Sequence, residues 1–221
     1  MNFLVIADPV RGLKPKTDTT LAIVRDALTR GHEVHWATSE DLFLWEGRVH
    51  ARVDKIEGCA ENSLPVTDTI KEPQSINSYD GVWIRKDPPF DTSYMGLCWL
   101  LALEEENVPM LNKPSLLLRY HEKMLPWEAV EKGFLSHDEV IPTFLPTGRR
   151  FPVPDNFPRG QSVLKPWLGH GGKDVVQIEN PQTPEPYTFL QPLMKEVTRT
   201  GDRRIFILDG EVIGSFQRIP A

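Results

Sequence analysis

Apolar and polar positions alternate with two different periods along this chain, and the change from one to the other divides it. Near the start, FLVIA is an unbroken apolar run ending at Asp8-Pro9 and predicts a buried strand. TTLAIVRDALTRG then shows the three-to-four spacing of an amphipathic helix, stopped by Gly31, and EVHWAT predicts a second strand. Strand, helix, strand is the opening of a doubly wound α/β sheet. LFLWEGRVHARV predicts a β-hairpin turning at Glu46-Gly47, and GVWIR predicts a further strand after a polar, irregular stretch from Glu57 to Ser78. Helical spacing returns from Thr92 to Glu106, and VPMLN predicts another strand. Pro114 is placed to begin the next helix, and Pro126 is expected to kink or break the one after it.

From Ile141 to Gly160 the chain holds five prolines, which suggests a connecting segment. Beyond it the pattern is β-rich: QSVLKPWL, KDVVQIE, YTFLQPL, and a hairpin RRIFILDGEVIGSFQRI turning at Asp209-Gly210. No internal repeat or low-complexity tract is visible.

Composition changes this picture little. The 221 residues are 40% hydrophobic and 25% charged, ordinary for a globular protein with one large or two modest cores. A net charge of -6 argues against a nucleic-acid partner, which usually meets a Lys/Arg excess. No stretch approaches 18 apolar residues, and the N-terminus lacks a signal-peptide pattern, so a membrane partner is not expected either. Cys59 and Cys98 have no C-x-x-C spacing and read as reduced, cytoplasmic thiols. His32 and His35 read as structural or surface residues.

The candidate chemistry lies in the β-rich half. SVLKPWLGHGGKDVVQIE sets Lys165 on a strand and Gly169, Gly171 and Gly172 in the loop that follows. Neither G-x-x-x-x-G-K-[ST] nor G-x-G-x-x-G is present, and a strand, not a helix, comes after. Such a hairpin can close over phosphates as a flap, or it can be no more than a turn. Around it, in order, stand Lys123, Gln191, Arg204 and Arg218. Two lysines, a glycine flap and two arginines together could neutralise a triphosphate, because charge-assisted hydrogen bonds to phosphate are the strong ones. Any one of these cations alone is more often a solvated surface charge.

VIADP, RKDPPFDTSY, LNKPSLLLRYHEKM, LKPWLGHGGKDV and GDRRIFILDGEVIGSFQRIPA resemble, in order and over essentially the whole chain, the successive motifs of bacterial glutathione synthetases of the ATP-grasp superfamily. The resemblance implies an ATP-grasp fold: an N-terminal doubly wound α/β domain over 1–118, a small α+β lid carrying the flap over 119–190, and the start of a C-terminal subdomain over 191–221. It implies that Lys123 and Lys165 hold ATP phosphates under Gly169, Gly171 and Gly172, with His170 standing where another residue is commoner. Gln191 and Met194 would lie in the adenine hinge, although Pro192, Leu193 and Met194 depart from its usual polar and aromatic residues. Asp202 would belong to the nucleotide site, and Arg204 and Arg218 would face the phosphates and the acyl substrate as the catalytic pair.

The reaction so implied joins γ-glutamylcysteine to glycine through an acyl phosphate, giving ADP and phosphate. It works by positioning and charge neutralisation, without a protein nucleophile. The family continues for roughly a hundred residues after R-I-P, a length typical of a small domain. Its magnesium ligands are expected there, beyond Ala221, so that the chain by itself is expected to be inactive. A homo-oligomer is expected. Another ATP-grasp carboxylate–amine ligase, or a non-catalytic nucleotide-binding or interaction module, is the alternative.

Overall fold

The computed structural model describes residues 1–219. The chain packs as two units, Met1–Glu128 and the residues from Ala129 onward. In chain order the first holds β1 (Asn2–Ile6), α1 (Thr19–Thr29), β2 (Glu33–Ala37), β3 (Leu42–Trp45), β4 (Arg48–Ala51), β5 (Asp54–Gly58), β6 (Val66–Thr69) and β7 (Gln74–Ser75). It continues with β8 (Gly81–Ile84), α2 (Thr92–Ala102), β9 (Met110–Leu111), α3 (Pro114–Arg119) and α4 (Leu125–Glu131), within which the division falls. The second unit carries β10 (Ser162–Pro166), β11 (Val176–Ile178), β12 (Thr188–Pro192), α5 (Lys195–Thr200), β13 (Asp202–Leu208) and β14 (Glu211–Arg218).

The main sheet runs β6-β5-β2-β1-β8-β9, with β2, β1, β8 and β9 parallel and β5 and β6 antiparallel at one edge. Side chains of a strand alternate between faces, so β1 serves two cores at once. Leu4 and Ile6 join Leu97 and Leu101 of α2, whereas Val5 and Ala7 join Leu21, Val24 and Ala27 of α1. Leu4, Val5 and Ile6 are fully buried, each contributing about 1.5–3 kcal/mol by leaving water. Helices on both faces make this the doubly wound α/β arrangement read from the first strand, helix and strand.

Local chemistry sets the boundaries. Asp18 caps α1 by accepting from Leu21 N–H at 3.1 Å, and Asp91 caps α2 through Tyr94 N–H at 3.0 Å. Gly31, at φ +78°, ends α1 in the left-handed conformation, and His32 N–H returns to Ala27 O at 3.0 Å. The helix expected to reach Glu106 ends at Ala102, because Leu103 and Glu104 bond back three residues, to Leu100 and Leu101, and so tighten the last turn. The β3–β4 hairpin turns at Glu46 and Gly47 with φ of 48° and 74°, the twist that matches antiparallel strands. It is tied to the end of α2 by Glu104, whose buried carboxylate accepts from Val49 N–H at 3.2 Å and Asn107 Nδ2 at 2.8 Å.

Two expectations about proline are corrected. Pro114 does open α3, but Pro126 neither kinks nor breaks a helix. It sits in the first turn of α4, where its missing N–H would have had no intrahelical acceptor. The proline-rich stretch from Ile141 to Gly160 is not a connector between the units, since it lies inside the second. There Phe144 exchanges both backbone hydrogen bonds with Leu190 of β12, and Phe157 is buried. The second unit otherwise comprises a three-stranded antiparallel sheet, β11-β10-β12, and the β13–β14 ribbon.

Candidate functional site

Register on the small sheet brings the central residues together. β10 pairs with β12 so that Val163 faces Gln191 and Lys165 faces Phe189, which puts Lys165 and Gln191 diagonally on one face. Lys165 Nζ donates to Gln191 Oε1 at 2.9 Å, and Gln191 Nε2 donates to Thr143 Oγ1 at 2.8 Å. The amide thereby orients the ammonium and is itself held by the proline-rich segment. Lys165 is half-buried, so its charge is less screened than that of a surface lysine. Beside it Trp167 packs against Phe189 and Tyr187, with ring centroids 5.7 and 6.0 Å apart.

The loop between β10 and β11 is exposed and built from turns. A Cβ on Gly169 would fall 2.4 Å from Pro166 Cγ, so no side chain fits there without moving that ring. Gly171 and Gly172 have φ of +59° and +78° with open space around them, so their requirement is conformational. His170 lies between these positions and is exposed. Backbone N–H groups at such a loop, next to an oriented ammonium, form a surface suited to an anion.

A second cluster lies on the ribbon. Asp202 and Arg218 are cross-strand partners, and the guanidinium grips the carboxylate through Nε and Nη2, each at 2.9 Å. That grip holds the Asp202 carboxyl below its ordinary range and raises the Arg218 guanidinium. Arg204, on the same face two residues along β13, stands opposite Phe216 and lowers Asp202 further by its charge. One carboxylate and two guanidiniums leave this end of the ribbon net positive. Met194 occupies the N-cap of α5 and is exposed, with no side-chain capping bond. Lys123 stands in the other unit, between α3 and α4, its Nζ donating to Glu122 Oε1 at 3.0 Å.

The sequence pointed to most of these residues, but not to Thr143, to Gly201 or to a cluster at the ends of two strands. Thr143 gave no signal, being one polar residue among prolines. Gly201 has φ +76°, and a Cβ there would lie 1.8 Å from Arg218 O, so glycine is required where α5 turns into β13; it is the first residue of the GDRRIF string. Third, the VIADP and RKDPPFD motifs meet at the carboxyl ends of β1 and β8. There Asp8 accepts from Asp87 N–H at 2.9 Å and Lys86 Nζ at 3.4 Å, while Arg85 donates to Thr19 and Thr20 hydroxyls at 2.7 and 3.1 Å. Chain crossings change direction between β1 and β8, the place where open α/β sheets bind ligands. Among the described residues, no group of three or more His, Cys, Asp or Glu could hold a metal ion, and no helix is long and apolar enough to cross a membrane.

Residues 1–118 match the family model of the prokaryotic glutathione synthetase N-terminal domain. Over its whole length the chain is 29% identical to a glutathione synthetase of Thermosynechococcus vestitus, spanning 74% of that protein. It is 30% identical to one of Parasynechococcus marenigrum, again over its whole length and spanning 72% of that protein. Over 98% of its length it is 28% identical to one of Buchnera aphidicola subsp. Schizaphis graminum, spanning 69%.

Proposed function

The chain belongs to the prokaryotic glutathione synthetase family, whose reaction is the ATP-driven joining of γ-glutamylcysteine to glycine, and we propose that β10, β12 and the loop between them form its nucleotide-phosphate edge in an ATP-grasp fold. ATP, when bound, supplies the phosphoryl group that activates the dipeptide carboxylate. This chain's residues bind and orient. Lys165, aimed by Gln191, sets a positive charge where phosphate oxygens arrive, and the Gly169, Gly171 and Gly172 backbone closes over them. Lys123 adds a second charge. His170, Gln191 and Met194 border the nucleotide, and Asp202 holds Arg218 in a fixed orientation beside Arg204, so that charge gathering on the transferring group meets preorganised cations. The described residues assign magnesium no ligands. The three-part division at 118 and 190, a cytoplasmic location and a homo-oligomeric state belong to the same reading.

One observation carries this reading: a half-buried lysine, oriented by a part-buried amide and hydroxyl in series, adjoins a loop in which one glycine excludes a Cβ and two others need positive φ. The test has two stages. On titrating ADP, the backbone amide resonances of residues 169–172 should shift in a saturable way; unshifted amides would remove the loop from the site. Phosphate release from ATP, measured with γ-glutamylcysteine and glycine together and each omitted in turn, then tests the ligation. Release that depends on both substrates would support the ligase directly, whereas nucleotide binding without it is the outcome expected where magnesium has no ligands among the described residues, and supports the binding role alone.

A further inference from the structure

A cavity of about 600 Å³ opens in the first unit at the carboxyl ends of β1 and β2, with β5 and β6 along its outer side. None of the residues discussed as a site lines it. That volume lies in the range of small-molecule pockets, roughly 300–1,000 Å³. Four charged side chains face it, Arg11, Arg52, Asp41 and Asp54, and none pairs with another. Among the described residues the Arg11 and Arg52 side chains have no hydrogen-bond or ion-pair partner. Asp41 receives the Thr38 backbone N–H and hydroxyl at 2.7 and 2.6 Å, both on Oδ2, and Asp54 receives the Thr69 hydroxyl at 2.7 Å on Oδ1. Each carboxylate thus keeps one oxygen uncommitted.

Trp36 lines the same cavity. It is 3% exposed, and its indole Nε1 has no acceptor. That nitrogen has almost no accessible surface, so the ring borders the cavity and reports on it without reaching into it. Two cations and two anions around one space are complementary to a molecule that carries both charges.

We propose that this cavity binds a small zwitterion of the α-amino-acid class, its carboxylate held by Arg11 and Arg52 and its ammonium by Asp41 and Asp54, with Trp36 as the wall that senses it. The dipeptide substrate of the family's reaction carries such a head group, as do free amino acids, and the experiment separates the two sources. The ¹⁵N-labelled full chain is titrated with γ-glutamylcysteine, L-glutamate, glycine and succinate while the indole N–H resonances are followed, Trp36 being assigned with Trp36→Phe. The Trp36 resonance should move saturably with an amino-acid probe, and succinate should need at least about ten times the concentration, since it lacks the ammonium. Saturation at lowest concentration by γ-glutamylcysteine identifies the cavity as a subsite of the ligation, and by a free amino acid as a separate site. Arg52→Gln and Arg11→Gln, both at exposed positions, should each weaken binding about tenfold or more while leaving the ADP response of residues 169–172 unchanged. A Trp36 resonance that stays still with every probe, succinate binding as tightly as the zwitterions, or unchanged affinity in both arginine variants would each overturn the proposal.

Discussion

Replacing Lys165 by methionine removes a charge while keeping the length of the aliphatic stem, and the structure allows its two effects to be separated. In the free protein the change deletes the donor to Gln191 Oε1 at 2.9 Å. That bond is part-buried and open to replacement by water, and Gln191 keeps its own bond to Thr143. The loss should come to about 1 kcal/mol, which for a chain of this size lowers the melting temperature by about 2–4 °C. In the nucleotide complex the same change deletes a charge-assisted bond to phosphate worth about 1.5–3 kcal/mol, so that Kd for ATP should rise about 10- to 150-fold. Isothermal titration with ATP and a thermal melt, both on parent and variant, read the two quantities independently. Unchanged ATP affinity would refute the phosphate role. A melting temperature lowered by more than about 10 °C, with affinity weakened in proportion, would mean that Lys165 acts by holding the sheet together.

Three further outcomes are expected. Glu104→Ala should destabilise the first unit by about 2–4 kcal/mol in urea titration, because Val49 N–H loses its acceptor in a buried position and a cavity is left; a change under about 0.5 kcal/mol would mean that water replaces the carboxylate. The Asp202 carboxyl should titrate below its ordinary 3.8 in a carbon-detected NMR experiment and return toward that value in Arg218→Gln. Since its folded pKa is depressed, the pairing stabilises at pH above the unfolded value and fades as pH falls through the lowered one; an Asp202 midpoint unmoved by Arg218→Gln would remove the ion pair as the cause. Cys98 is fully buried and burial pushes its thiol up to about 11, so a thiol reagent at pH 8 should modify it only in denaturant, whereas Cys59, part-buried, should react slowly in the native state; rapid native modification of Cys98 would contradict the core packing around α2.

What could be read in advance depended on whether the cause was local. FLVIA announced a strand covered on both faces because only such a strand is apolar at every position, and Gly31 and Glu46-Gly47 marked an end and a turn through their own backbone chemistry. Pro126 was misread because the same proline is disruptive inside a helix and harmless in its first turn, and the local sequence does not mark where that helix begins. Lys165 and the flap glycines were legible as types at a spacing. That Gln191 would aim Lys165, and that Thr143 would hold Gln191, depended on strand register and on the fold of the proline-rich stretch, both long-range. The cavity at Trp36 was invisible in the same way, since Arg11, Trp36, Arg52 and Asp54 share no motif and meet only through the sheet order.

The β13–β14 ribbon has apolar side chains on both of its faces. Ile205, Phe206, Ile207, Leu208, Val212 and Ile213 are all at least half exposed, and among the described residues no other strand pairs with either member. Its composition is that of the middle of a sheet, and its setting is that of a rim. With little apolar burial to resist opening, the ribbon should be the first region to exchange its amide hydrogens and to admit protease, with trypsin cutting at Arg203 and Arg204 while the β1 amides stay protected. The free energy that makes such a ribbon rigid has to come from whatever surface covers it, so its opening rate is a gauge of that cover: slow where the ribbon is occupied, fast where it is bare.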